Sequence, residues 1–332
     1  MQLDFTADQE ELRDSVRSVL EKECTRAVVR EHVDHVVRGE PSDAPERLWK
    51  TFVSLDWPAL TIAEEHGGIG LGFPELAVVA EELGRVLALG PLLTTIAGFV
   101  PLVREADGGE EWLAKVAAGE ISGAAAFAPD HVLCGGEVDL VAVVQDGELA
   151  VVAPTGAQTV NSLDATRTLV NIEVGDGPRL KISAAGVQRA LEELTVALAF
   201  ELVGTCQTIF DTTLQYAKER HQFGVPIGSF QAVKHKLANM FVAIERARAL
   251  CVFAAATINE GDPRRSTATS AAKAAAGDCQ RLVAQDGIQL LGGIGYTWEH
   301  DQHFFVKRAK VSDALLGNAS YHRQRIADAL GL

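Results

Sequence analysis

One apolar stripe constrains this chain more than any other feature. Leu191, Leu194, Leu198, Leu202, Cys206, Phe210 and Leu214 recur every three or four residues, the pattern of a helix with one face in a core. Gly224 and Pro226 end the pattern, and a second periodic run opens near Val233 and passes through Leu237, Met240, Ile244 and Ala247. Two long antiparallel helices are therefore expected, joined at a tight corner. Glu219–Arg220–His221–Gln222–Phe223–Gly224 closes the first, and Val225 to Phe230 and Gln231 lead into the second. The corner presents an arginine, an amide and an aromatic ring. A guanidinium fork suits a phosphate oxygen, and a ring can pack on a planar ligand. In the competing reading Arg220 caps its own helix and Phe223 is buried as a staple. Spacing alone favours that second reading.

The rest of the chain divides by pattern. Thr6 and Gln9 have capping-box spacing, and Leu12, Val16, Val19 and Leu20 form one stripe. Pro45 opens a helix carrying Trp49, Phe52 and Val53, and Pro74 another with Leu76, Val79, Leu83 and Val86 on one face. Gly67–Gly68–Ile69–Gly70 between them reads as a tight turn, because no lysine or threonine follows as in a phosphate loop. Short apolar runs at Ala124–Ala128, Leu140–Val144, Leu149–Val152 and Leu169–Val174, with Asp146–Gly147 between two of them, are strand and hairpin signals. From Ala184 the pattern is helical again, with alanine-rich helices around Ala254–Ala276. The expected fold is mainly α with a small β domain, divided at 1–118, 119–183 and 184–332.

Composition excludes several roles. A net charge of −15 opposes nucleic acid and anionic membrane surfaces as partners. Val86 to Val103 lacks charge, but Gly90, Pro91, Gly98 and Pro101 interrupt it, so it reads as buried core and not as a membrane span. Cys24, Cys134, Cys206, Cys251 and Cys279 show no paired spacing and read as buried thiols in a reducing cytoplasm. An acidic N-terminus without an apolar segment also points to a cytoplasmic chain. Glu299, His300, Asp301 and His303 could be drawn as metal ligands, but capping and packing account for them, and no metal is expected. His32 and His35 read as solvated on a charged helix.

Arg220-x-Gln222–Phe223–Gly224, then Phe230–Gln231, then Gln289-x-x-Gly292–Gly293-x-Gly295–Tyr296 resemble the C-terminal helical domain of the flavin-dependent acyl-CoA dehydrogenases. Leu12–Arg13, Trp57, Glu64 to Gly70 and Glu81–Glu82–Leu83–Gly84–Arg85 resemble the N-terminal half of the same family. The resemblance implies a helical N-terminal domain, a middle β domain and a C-terminal four-helix bundle. It also implies FAD, an acyl-CoA substrate that loses hydrogens from its α and β carbons, and an electron-transfer acceptor. The carbonyl of such a thioester must be polarised and a base held close to the α-proton.

The family's motifs are kept unevenly. By resemblance, Arg220, Gln222, Phe223, Phe230, Gln231, Gln289, Gly292 and Gly293 reach across a dimer interface to the pyrophosphate and adenosine of a neighbour's FAD. All are present. The elements that serve a chain's own flavin cleft are lost or altered. The Thr-Glu-Pro loop reads Phe127–Ala128–Pro129–Asp130–His131 and runs directly to Cys134–Gly135–Gly136, and the tryptophan-bearing hairpin that follows is deleted. The Asp-x-x-Arg that contacts acyl-CoA becomes Glu192 and Thr195, and Leu316–Gly317–Asn318 replaces Glu-Gly-Thr, so leucine stands at the usual base. An alternative base position, eight residues before Asp286, falls on Asp278, although a lone Asp on an alanine-rich helix is more often a solvated face. Random decay would not divide so cleanly.

Three readings follow. In the first, the chain is the shorter subunit of a heteromeric acyl-CoA dehydrogenase, resembling those that act on steroid side-chain CoA esters in actinobacteria. It would pair with a longer homologous subunit as α2β2 and share its FAD. In the second it is a self-sufficient homo-oligomer with Asp278 as base. In the third it is a non-catalytic scaffold, against which the retained Arg220, Gln222, Gln289 and glycine pair count.

Overall fold

The structure is a computed structural model that describes residues 3–134 and 137–332. Gly135 and Gly136, part of the shortened loop read from the sequence, lie outside them. The chain forms two compact units: Met1–Glu21 with Val78–Leu87 and Leu198–Leu332, and Lys22–Ala77 with Ala88–Ala197.

Helix α1 (Ala7–Glu23) opens on the reciprocal cap expected of Thr6 and Gln9. The Gln9 amide donates to Thr6 Oγ1 at 3.2 Å, and the Thr6 amide donates to Gln9 Oε1 at 2.9 Å. In α2 (Arg26–Arg38), His32 is buried and not solvated as the sequence suggested. It lies in phase with Val29 and Val33 on the core stripe, and its Nδ1 lies 3.0 Å from Ser42 Oγ, which supplies the polar partner that burial demands. His35, one turn on, donates from Nδ1 to the Pro41 carbonyl at 2.8 Å. Helix α3 (Ala44–Ser54) carries Pro45 in its first turn, and Phe52 at its buried face stacks on Trp57 at 5.0 Å. Helix α4 (Phe73–Val86) follows. Leu92–Thr94 (α5) and Val100–Arg104 (α6) flank a π-helical turn at Thr95–Phe99, and all three are almost wholly buried, as the interrupted apolar run implied. Helix α7 (Glu110–Ala117) ends the first helical stretch.

The β region holds β1 (Gly123–Ala126), β2 (Val132–Leu133), β3 (Leu140–Gln145), β4 (Glu148–Val152), β5 (Gln158–Thr159), β6 (Leu169–Asn171) and β7 (Arg179–Lys181). They form one sheet of order β1-β3-β4-β7 and another of order β2-β6-β5. Asp146 and Gly147 turn β3 into β4 with φ of 52° and 81°, the left-handed pair a two-residue hairpin needs. Ala142, Leu149 and Val151 face a core with Phe99, Val103 and Leu113, while Val141, Val143, Ala150 and Val152 face a second core with Val170 and Ile172. Both faces of β3 and β4 are covered, which is why their sequences read as continuous apolar runs. The two- and three-residue strands β2, β5 and β7 are too short to show any period.

Helix α8 (Ala184–Glu219) outlasts the apolar stripe that ends at Leu214 but stops five residues before Gly224, the residue read as its stop. A hairpin intervenes, β8 (His221–Gln222) with β9 (Val225–Pro226), because Phe223 and Gly224 both adopt positive φ, 55° and 80°. Helices α9 (Gln231–Asn259), α10 (Arg265–Leu291), α11 (Gln302–Ala314) and α12 (Ala319–Ala329) complete the chain.

In the first unit α4 crosses α8 at glycines on both helices. A Cβ on Gly84 would lie under 3.0 Å from the Glu201 carbonyl, and one on Gly204 equally close to the Glu81 carbonyl. This backbone-to-backbone approach brings buried charges together. Arg17 donates to Glu82 Oε1 at 2.7 Å, Arg248 to Glu81 Oε1 at 2.9 Å, and Arg308 to Glu201 Oε1 at 2.7 Å. The Glu81–Arg85 segment, singled out by resemblance alone, is thus a packing motif in physical terms.

Candidate functional site: an exposed corner and a closed turn

The corner after α8 is built by three local rules. The helix stops at Glu219, the left-handed Phe223–Gly224 pair reverses the chain, and a 3-10 turn at Ile227–Ser229 feeds α9 through Phe230. This geometry turns Phe223 outward. It is 93% exposed, and its ring meets Phe230, also exposed, edge-on at 6.2 Å. The staple reading of Phe223 is therefore excluded. Nor does Arg220 cap its helix: its amide donates to the Tyr216 carbonyl, and its guanidinium has no hydrogen bond or ion pair among the described residues. Gln222 Nε2 donates to the His221 carbonyl at 2.8 Å, and Gln231 opens α9 exposed.

The ion pair of Lys236 with Asp286 ties the start of α9 to the end of α10, where Gln289 is exposed. Beyond it, Cβ atoms on Gly292 or Gly293 would meet nothing within 4 Å. The corner thus offers a guanidinium, the carboxamides of Gln222 and Gln231 and two exposed rings, and the end of α10 adds the Gln289 carboxamide and open glycine backbone. These donors are cationic or neutral, and the chemistry of the set fits a diphosphate flanked by an aromatic base, the adenosine diphosphate portion of FAD.

The residues aligned with a cleft of the chain's own are arranged differently. Leu316 adopts φ 55° and is held by its backbone: His322 Nε2 donates to its carbonyl at 3.1 Å. The wholly buried Lys273 donates to the carbonyls of Ser312, Asp313 and Gly317 at 3.0, 2.8 and 3.0 Å, and so caps the end of α11 and fixes the same turn. Asn318 then caps α12, accepting from the Tyr321 amide at 3.0 Å. Asp278 is ion-paired with Arg323 of α12. In the second unit, Glu192 is buried and accepts from Gln188 Nε2 at 2.8 Å, while Thr195 donates back to the Leu191 carbonyl at 2.7 Å. Pro129 accepts from the Ile172 amide at 3.0 Å, and His131 sits at φ 59°.

Lys273 and His322 escaped the sequence reading. The available signal was helical phase, since Lys273 falls on the buried stripe of α10 between Thr269 and Ala276. Burial lowers the Lys273 ammonium to about 8. Burial first, and then the Lys273 charge, lowers the His322 imidazole to about 4. His322 has its ordinary value near 6.5 when unfolded, so the unfolded chain takes up this proton first as pH falls. Stability should therefore drop as pH falls from 6.5 towards 4, and His322→Gln should flatten that part of a thermal-unfolding pH series. An unchanged profile in the variant would assign the slope to other groups.

Among the described residues no group of three or more His, Cys, Asp or Glu side chains is placed to hold a metal ion. All five cysteines are buried, and burial raises the Cys251 thiol.

The comparisons with known proteins agree with one another. The acyl-CoA dehydrogenase N-terminal domain matches residues 6–120, and the acyl-CoA dehydrogenase C-terminal domain matches residues 185–331. The chain is 35% identical to acyl-CoA dehydrogenase IpdE2 of Mycobacterium tuberculosis, covering 93% of both chains. It is 30% identical to acyl-CoA dehydrogenase FadE34 of the same organism over 97% of itself and 47% of that protein. Its fold superposes on a chain of the ChsE4-ChsE5 complex from Mycobacterium tuberculosis with a TM-score of 0.88, at 20% identity and coverage of 100% and 99%. It also superposes on the Tcur3481-Tcur3483 steroid ACAD G363A variant with a TM-score of 0.87, at 23% identity and 98% of each chain. Solved members of this fold family carry FAD or its reduced form. The matched domains and the full-length likeness to IpdE2 establish that the chain belongs to the acyl-CoA dehydrogenase family, the FAD-binding oxidoreductases that act on the CH–CH bond of an acyl-CoA.

Proposed function

We propose that this chain is the shorter subunit of a two-chain acyl-CoA dehydrogenase, and that its exposed corner completes the FAD site of a longer homologous subunit. One observation carries the reading. Phe223, with φ 55° and 93% exposure, is held out into solvent beside an unpaired Arg220, where neither folding nor helix capping uses them. A non-glycine residue at positive φ is uncommon, and a large exposed aromatic beside it calls for a ligand or partner. The bound FAD supplies the hydride acceptor of the reaction. This chain's part would be to help hold it: Arg220 would pair with the pyrophosphate, Phe223 and Phe230 would pack on the adenosine, and Gln289 with Gly292 and Gly293 would add polar and backbone contacts. Leu316 cannot accept a proton and Asp278 is committed to Arg323, so the base comes from the longer subunit.

The comparisons support a two-part arrangement. FadE34 has room for a second copy of a chain like this one, since the alignment takes 47% of it. ChsE4-ChsE5 is a complex of two named chains. For the acyl group we propose a bulky steroid-derived CoA ester, the class for which the Tcur3481-Tcur3483 dehydrogenase is named.

The experiment is co-expression with a longer homologous acyl-CoA dehydrogenase subunit, followed by measurement of mass and bound flavin. The chain alone is expected to be colourless, and the complex yellow. Arg220→Ala should lower flavin affinity about ten- to a hundredfold, the worth of a charge-assisted bond of roughly 1.5–3 kcal/mol. Arg220→Lys should recover only part of that. A homo-oligomer of this chain that binds one FAD per subunit and turns over substrate would overturn the reading.

Asp278→Asn separates the two sources of the base. The variant keeps the shape and loses the charge. In the two-chain reading turnover stays within a few-fold of wild type and FAD content is unchanged. Loss of a general base costs about 10²–10⁴-fold, so anaerobic bleaching of the flavin by substrate would collapse if Asp278 were that base.

A further inference from the structure

Beside the corner lies a groove that the flavin reading does not use. Leu214 and Ala217 of α8, Pro226 of β9 and Leu237 of α9 give it apolar walls, and its volume is about 450 Å³. Lys218 and Lys234, both exposed, stand at its edge, and neither ammonium has a hydrogen bond or ion pair among the described residues. Lys218 is in the last turn of its helix, where a cation is favourable, but Lys234 is in the first turn of α9, where the helix dipole opposes it. That first turn has no acidic residue, and Phe230 provides no side-chain cap. In a chain of net charge −15, two unneutralised cations and a bare helix start around one apolar groove form a local charge inversion.

The groove is open to solvent on one side. A small amphiphile in it would stay largely exposed, whereas small-ligand pockets bury about 70–90% of their occupant. An occupant carried by a protein surface would close the groove, and Pro226 makes it continuous with the hairpin that exposes Phe223. Resting on the two-chain reading above, we propose that this groove receives an apolar side chain of the longer subunit, with a flanking carboxylate set between Lys218 and Lys234. The groove is then a docking socket that aligns the partner before the flavin contacts form. Charge complementarity at such a rim governs encounter rate and salt dependence.

The test uses the purified two-chain complex. A carbodiimide activates a carboxylate, a neighbouring lysine amine attacks it, and an amide forms as the urea by-product leaves. Peptide mass spectrometry should find Lys218 or Lys234 joined to an Asp or Glu of the longer chain. The double variant Lys218→Glu with Lys234→Glu changes only exposed positions, so it should fold. Its association with the longer chain should weaken at least roughly tenfold and lose salt dependence. Association within twofold of wild type, with no cross-link to the longer chain, overturns the socket. The two-chain reading would survive that result if flavin binding still depended on Arg220. Protection of both lysines from acetylation by free laurate in the chain alone would make the groove an amphiphile site and overturn the socket as well. If the two chains form no complex, both proposals fall together.

Discussion

Gly84→Ala is expected to lower stability by about 3 kcal/mol, the upper end of the usual overpacking cost, read as a shift of the urea midpoint. Helix propensity alone predicts the opposite sign, since alanine in a helix interior is better than glycine by about 1 kcal/mol. Packing decides against it. The new Cβ would lie under 3.0 Å from the Glu201 carbonyl, a backbone atom that no rotamer change can move aside. Relief requires α4 and α8 to separate, and separation loosens the contacts made across the crossing. These include the Thr205 hydroxyl donating to the Gly84 carbonyl at 3.2 Å and the Thr208 hydroxyl donating to the Arg85 carbonyl at 2.7 Å. It also disturbs Glu81 and Glu82, buried on the same helix and paired with Arg248 and Arg17. Gly293→Ala is the control, because its Cβ enters open space and should change stability by no more than about 0.5 kcal/mol. Equal midpoints for the two variants would show that the crossing relaxes freely.

Glu201→Ala is expected to cost about 3–5 kcal/mol, the penalty for stranding a buried charge. Glu201 is 2% exposed; its Oε1 accepts from Arg308 at 2.7 Å, and its Oε2 accepts from the Ser312 hydroxyl at 3.2 Å. Removing the carboxylate deletes a charge partner of the Arg308 guanidinium, which is also 2% exposed. The double variant Glu201→Leu with Arg308→Met removes both charges and refills the volume. It should recover most of the loss, since apolar replacements of buried pairs are commonly neutral or stabilising. A double variant as unstable as the sum of the single changes Glu201→Leu and Arg308→Met would mean that the pair contributes through something other than mutual neutralisation. Because Ser312 lies near the turn fixed by Lys273, near-UV circular dichroism of the double variant should be recorded beside the urea curves.

What the sequence by itself determined is whatever rests on local chemistry or on period. Thr6 and Gln9 cap α1 reciprocally, Asp146–Gly147 turns β3 into β4, and the 3.6-residue stripe from Leu191 to Leu214 is one helix. Each depends on residues within a few positions of one another, so the information is contiguous. The family was legible for the same reason, because its motifs are short runs with fixed spacing. The candidate flavin contacts were named from those runs as well.

The tertiary structure alone decided which polar residues are buried and which apolar ones are not. Phe223 and His32 exchange the places their chemistry suggests: the ring stands in solvent because its backbone is left-handed, and the imidazole is buried because Ser42 provides a partner. The same holds for Lys273, whose three acceptor carbonyls lie 39 to 44 residues away in sequence. It holds too for Gly84, whose need for hydrogen in place of a side chain comes from a helix more than a hundred residues distant. Burial, charge pairing and close backbone approach are sums over distant neighbours, and no window of sequence contains them.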